Sequence, residues 1–193
     1  MKRLVFLLAI FCLLTIGAFA QAKTADYSGE WSLDKGKSTL AGRMQNIESM
    51  TMTVAQTDKE LKVTSSVKRG APPAGAPVGP PPGSGQGGGR GTGGGMGMMG
   101  DQTMTYSLDG KETSAEVPGP GGSTGTAKST AKIGTGKLEL TSVRTFTTQM
   151  GEVKATTTET WEIQADGSLK IKRDTESPRG SESNVMVFTK KTK

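Results

Sequence analysis

Apolar and polar residues alternate with a period of two along most of the chain from Tyr27 onward, and no stretch keeps a 3.6-residue period for long. Strands therefore dominate. Trp31 and Leu33 alternate with polar neighbours after Gly29, and Met50, Met52 and Val54 share a face opposite Thr51 and Thr53. Leu61 and Val63 follow across Thr57-Asp58-Lys59, which reads as a hairpin turn. Met104, Tyr106 and Leu108 form another face, and Asp109-Gly110 predicts a type I′ hairpin into a strand over 111–117. Further strands are expected over 126–133, 138–146, 153–163, 169–175 and 185–189. Gly134-Thr135-Gly136, Gln149-Met150-Gly151 and Asp166-Gly167 separate the first four of these. The fold class is all-β: an antiparallel up-and-down meander of about ten strands forming a barrel or half-barrel.

The longest single-face set is Val153, Ala155, Thr157, Glu159, Trp161 and Ile163, with Lys154, Thr156, Thr158, Thr160 and Glu162 facing the other way. One side is wet, and its threonines are ordinary β-formers on a solvent face. The alternation stops completely over 69–100, where Pro72-Pro73, Pro80-Pro81-Pro82 and a glycine-rich tract follow one another. Half of the chain's 28 glycines lie between Gly70 and Gly100, with nothing apolar enough to offset the entropy of ordering them. A disordered Gly/Pro/Met-rich insertion between two strands is expected there, at a closure cost that grows only logarithmically with its length.

Lys2 and Arg3 precede a short apolar run, and Ala18-Phe19-Ala20 places small residues where a signal peptidase needs them. Residues 1–20 are thus read as an export signal cut before Gln21, leaving a single domain over 21–193 in the periplasm or outside the cell. The signal takes with it Cys12, the only cysteine, and there is no histidine at all. Disulfides, thiol catalysis, imidazole acid/base chemistry and the usual zinc ligands are excluded together. The remaining 22 basic and 18 acidic residues are interspersed, so no nucleic-acid surface is expected. No other apolar run reaches spanning length, so stable membrane insertion is not expected either, and the domain is read as a monomer.

Two sequence motifs fail on context. Ser129-Thr130-Ala131-Lys132 has the S-x-x-K spacing of serine acyl enzymes but alternates like a strand, and Gly36-Lys37-Ser38 lacks the glycine and helix of a phosphate loop. Glu159 shares an inward face with Trp161 and Ile163, where a raised pKa would make it the best candidate for a general acid. Arg144 or Arg173 on neighbouring strands could equally pair with it as a structural ion pair or ligand contact, and the pairing is the favoured reading. No catalytic residue and no cofactor is assigned, and the protein is expected not to be an enzyme. Met96, Met98 and Met99 supply soft thioethers that could converge on Cu(I) outside the cytoplasm.

The opening Tyr27-Ser28-Gly29-Glu30-Trp31-Ser32-Leu33-Asp34, with Lys37-Ser38 after it, resembles the G-x-W-x-L-(D/N) start of small secreted bacterial lipocalin-like β-barrel proteins. Tyr106-Ser107-Leu108-Asp109-Gly110-Lys111, Glu159-Thr160-Trp161-Glu162-Ile163, Asp166-Gly167-Ser168-Leu169 and Val187-Phe188-Thr189-Lys190 are similar to that group's later strands and turns. The resemblance implies a lipocalin-like barrel in which Gly29 and Trp31 close one end, with a late basic residue, Arg173 as first choice, packed across the tryptophan.

Such a barrel is expected to bind a small apolar or amphipathic ligand without catalysis, among Trp31, Leu33, Met50, Met52, Tyr106, Leu140 and Trp161. The competing readings are a solidly packed structural or protein-interaction module of the cell envelope, with an envelope protein as partner, and a Cu(I) binder acting through the methionine tract. A hollow barrel needs an interior cavity of roughly 300 Å³ or more, whereas a structural module needs its interior filled.

Overall fold

The structure, a computed structural model, describes residues 25–70, 102–119, 123–148 and 151–191. The expected export signal, Met96, Met98 and Met99, and all of the expected insertion except Arg69 and Gly70 lie outside the described residues.

Ten strands form a single antiparallel sheet. The first half comprises β1 (Gly29–Leu33), β2 (Ile47–Gln56), β3 (Glu60–Arg69), β4 (Gln102–Ser107) and β5 (Thr113–Pro118). The second comprises β6 (Thr124–Gly134), β7 (Lys137–Thr148), β8 (Gly151–Ile163), β9 (Leu169–Ser177) and β10 (Gly180–Lys190). Each strand pairs with its neighbour in sequence except at one place, and β1 also pairs with β10, so the meander closes through its two ends. The exception is β4 and β5, which flank a seam without a ladder between them. Side chains bridge it: Thr113 Oγ1 donates to the Thr105 carbonyl at 2.8 Å and also lies 3.3 Å from the Ser129 carbonyl. The result is a nearly closed up-and-down barrel.

The seam corrects the expected Asp109-Gly110 hairpin. A type I′ turn requires positive φ at both central residues, and only Gly110 has it, at +80°. Asp109 instead organises its own loop. Its carboxylate accepts from Ser107 Oγ at 2.5 Å and from the Lys111 N–H at 3.0 Å, and the Lys111 ammonium sits 2.7 Å away. These hydrogen bonds hold its pKa well below the usual carboxylate range.

Along every strand the inward positions are the buried ones, as period-two patterning requires. The barrel has two unlike halves. At the end where β1 begins and β10 finishes, Tyr27, Trp31, Trp161, Leu138, Leu169, Ile171 and Phe188 are packed with almost no exposure. Burying each such side chain contributes roughly 1.5–3 kcal/mol, so this end carries much of the stability. The Trp31 indole donates to the Tyr27 carbonyl at 2.9 Å, and the Tyr27 ring meets Trp161 edge-on at 5.8 Å. Lys190 extends over the Trp31 ring, its ammonium 5.3 Å from the ring centroid. Gly29 makes this possible, because a β-carbon there would lie 2.5 Å from Lys190 Cε. The basic residue over Trp31 is therefore Lys190, whereas Arg173, expected there, pairs with Glu159.

At the opposite end the chain between β1 and β2 runs back along β10 through the Thr39–Val185 bridge and a 3-10 turn, Gly42–Asn46. Met44 from that turn is buried. Asn184, also buried, holds the crossing in place by accepting the Ala41 N–H at 2.7 Å.

Candidate ligand-binding cavity

Small residues on β6 and β8 create space in the second half of the barrel. Arg144 on β7 pairs in register with Ala127 of β6 on one side and Ala155 of β8 on the other. Ser142, one inward position before it, lies opposite Ser129 and Thr157. With no bulky neighbour on either flank, the Arg144 side chain lies inside the barrel and reaches across to β4, where its Nη2 stands 3.9 Å from Met104 Sδ. The residue is only 7% exposed, and burial lowers its pKa from the ordinary arginine value. It remains a cation at any physiological pH.

Above this arginine is a cavity of about 240 Å³, open at one end. Its wall comes from β7 (Ser142, Arg144), β8 (Thr157, Glu159), β9 (Arg173, Thr175) and, across the barrel, β4 (Gln102, Met104, Tyr106). Arg69, Arg179 and Glu182 stand at its rim. Glu159 and Arg173 face each other across the β8–β9 ladder. Arg173 Nε and Nη2 both lie 2.6 Å from Glu159 Oε1, and the Trp161 indole N–H donates to Oε2 at 2.7 Å. The carboxylate is thereby bonded through both oxygens and joins the polar cavity to the aromatic floor. At the rim, Glu182 accepts from Asn184 Nδ2 at 2.8 Å and packs against Gly42, whose missing side chain gives it room. Tyr106 is buried against these charges, and burial first and the Glu159 charge second push its phenol pKa up. It is therefore a protonated hydroxyl throughout the neutral range.

Of the residues expected to line a ligand site, Tyr106 lines this cavity while also belonging to the core cluster. Trp31, Met50, Met52, Leu140 and Trp161 belong to the packed core, and Leu33 packs against it. The other residues that line the cavity are mostly polar; of these, Arg144 or Arg173 is the expected partner of Glu159, and Arg173 is that partner, whereas Ser142 is not among the expected site residues. Ser142, Arg144 and Arg173 alternate in phase with Leu138, Leu140, Phe146, Leu169 and Ile171, so the strand period already placed them inside. Their polarity carried the signal of a cavity.

Compared with known proteins, the chain matches no family model, no curated protein and no solved structure.

Proposed function

We propose that this is an exported, non-catalytic binding protein that takes one small amphipathic molecule into the open half of its barrel. The observation that carries this reading is the 240 Å³ cavity between β4 and the β7–β9 wall. It is somewhat smaller than the roughly 300–1,000 Å³ of drug-sized pockets, which fits a single ring or a short chain rather than a large lipid. The wall combines apolar surface from Met104 and the Tyr106 ring with fixed polar groups, the composition that orients a small ligand. The non-catalytic part of the reading is supported by Glu159, whose oxygens are taken up by Arg173 and Trp161 rather than poised for proton transfer.

The test is isothermal titration with matched compounds that share one apolar body and differ only at the head: benzoate, benzyl alcohol and benzylamine, and the corresponding eight-carbon chains. Saturable one-to-one binding of any member, lost in a folded Thr175→Trp variant whose indole occupies the cavity, is the expected result. If no member binds, the barrel is a packed structural or interaction module, and the binding reading is overturned.

A further inference from the structure

One inward row of the barrel consists almost wholly of hydroxyls. Strand register aligns Thr113 of β5, Ser129 of β6, Ser142 of β7, Thr157 of β8 and Thr175 of β9 in a line across the sheet, with Glu182 of β10 at its end. The inward rows nearer the floor are unlike it. One carries Ala131 and Leu140 beside the Glu159–Arg173 pair, and the next Leu138, Trp161 and Ile171. Inward positions are ordinarily apolar, so hydroxyls on neighbouring strands at one level need a reason other than packing. Ser142, Thr157 and Thr175 line the cavity.

The hydroxyls at the centre of this row are not all used. Thr157 and Thr175 share one hydrogen bond, Oγ1 to Oγ1 at 3.3 Å, which takes one of their two protons. Ser142 is 7% exposed, and among the described residues its hydroxyl oxygen is the one buried side-chain N or O atom with no hydrogen-bond partner. Buried hydroxyls are ordinarily bonded, so an unpartnered one on a cavity wall marks a place where a ligand atom belongs. The protonated Tyr106 hydroxyl lies on the facing wall.

The charged groups, by contrast, are engaged. Glu159 accepts from Arg173 and Trp161, Glu182 accepts from Asn184, and Arg69 and Arg144 have interactions of their own. The two charged residues of the lining that are buried, Arg144 and Glu159, balance one to one. An ion of either sign would disturb pairings already made, and an unpaired ion away from water is far more costly than a neutral polar group. A neutral oxygen needs only the protons that Ser142 and the threonine pair hold in reserve.

Resting on the binding reading above, we propose that the ligand is uncharged and that its head is a neutral oxygen, a hydroxyl or a carbonyl, bound by the hydroxyls of Ser142, Thr157 and Thr175. Its apolar body lies along Met104 and the Tyr106 ring towards the open end.

The matched titrations, with benzamide and toluene added, decide this separately from binding itself. Benzyl alcohol and benzamide should each bind about 10-fold more tightly than toluene, benzoate or benzylamine. The tighter of the two tells a hydroxyl head from a carbonyl head. Ser142→Ala should weaken both about 5-fold and leave toluene unchanged. It should also leave the unfolding midpoint unchanged or raised, because the hydroxyl it removes is unbonded in the free protein. Adding Thr157→Val should bring the alcohol and the amide to within about 3-fold of toluene, and Ser142→Ala alone decides if the double variant does not fold. Benzoate or benzylamine binding as tightly as benzyl alcohol overturns the neutral head while the binding reading stands. Equal affinity for toluene and benzyl alcohol, or unaltered affinities in Ser142→Ala, overturns the role of the hydroxyls. No binding by any member overturns both readings.

Discussion

The ammonium of Lys190 stands 5.3 Å from the centroid of the Trp31 ring, and its stem passes through the space left by the missing side chain of Gly29. A glycine two residues before a tryptophan is thus explained by a residue near the far end of the chain. Gly29 also has φ of +137°, a conformation that residues with a β-carbon rarely adopt. Gly29→Ala should therefore destabilise the barrel by about 1–3 kcal/mol. Gly134→Ala, at ordinary φ with its nearest new contact at 3.7 Å, should change stability much less. Thermal unfolding of the two variants checks the contrast.

Glu159 and Arg173 stabilise each other, and neither is well tolerated alone. Glu159→Leu leaves a largely buried guanidinium without its carboxylate and the Trp161 indole without its acceptor, and should cost about 3–5 kcal/mol. Adding Arg173→Met should restore more than half of that loss, since replacing both partners by apolar groups removes the uncompensated charge. A double-mutant cycle by denaturant unfolding measures the coupling, and strict additivity would contradict it.

Stability should be flat across the neutral range, because the chain has no histidine to titrate there. Hydrogen bonds from Lys172 and Ser183 hold Asp174 below its ordinary pKa of 3.8, and those from Ser168 do the same for Asp166. A depressed carboxylate contributes stability that is fully present above its unfolded value and lost as pH falls through the folded one, so the decline should begin near pH 3.8. Tyr106 works in the opposite direction. Burial raises its pKa above 10.0, so its contribution is complete below pH 10 and fades as pH rises beyond that value. Unfolding midpoints from pH 3 to 11 should trace a plateau with these two shoulders.

The seam should be the first part of the barrel to open. Thr113→Val removes the hydroxyl that bonds the Thr105 carbonyl across it and should cost about 1 kcal/mol. Amide hydrogen exchange in β4 and β5 should rise well above that in β7–β9, in the parent and more so in the variant.

Much of this architecture is legible in the amino-acid sequence. All ten strands coincide with period-two segments, because burying one face of a strand forces that alternation. The pairing at Asp109-Gly110 is not legible, since the turn signal is local whereas the seam reflects how far the barrel must curve to join β1 to β10. The cavity is legible in part. Alternation says that Ser142, Arg144 and Arg173 point inward, but it does not give depth along the barrel axis. Trp31 and Trp161, which look like a ligand wall, form the floor, and the alanines flanking Arg144 come together only through cross-strand register.

Among the described residues the incompletely closed sheet has two unpaired edges, β4 and β5, yet both are poor templates for other chains. β4 and β5 are six residues each, against 13 for β8. β5 ends in Pro118, which has no amide hydrogen to give, and the Thr105 carbonyl on β4 is already engaged from across the seam. Strand-by-strand accretion of further copies would find little to pair with, so the barrel can leave a gap in its wall without inviting fibre growth.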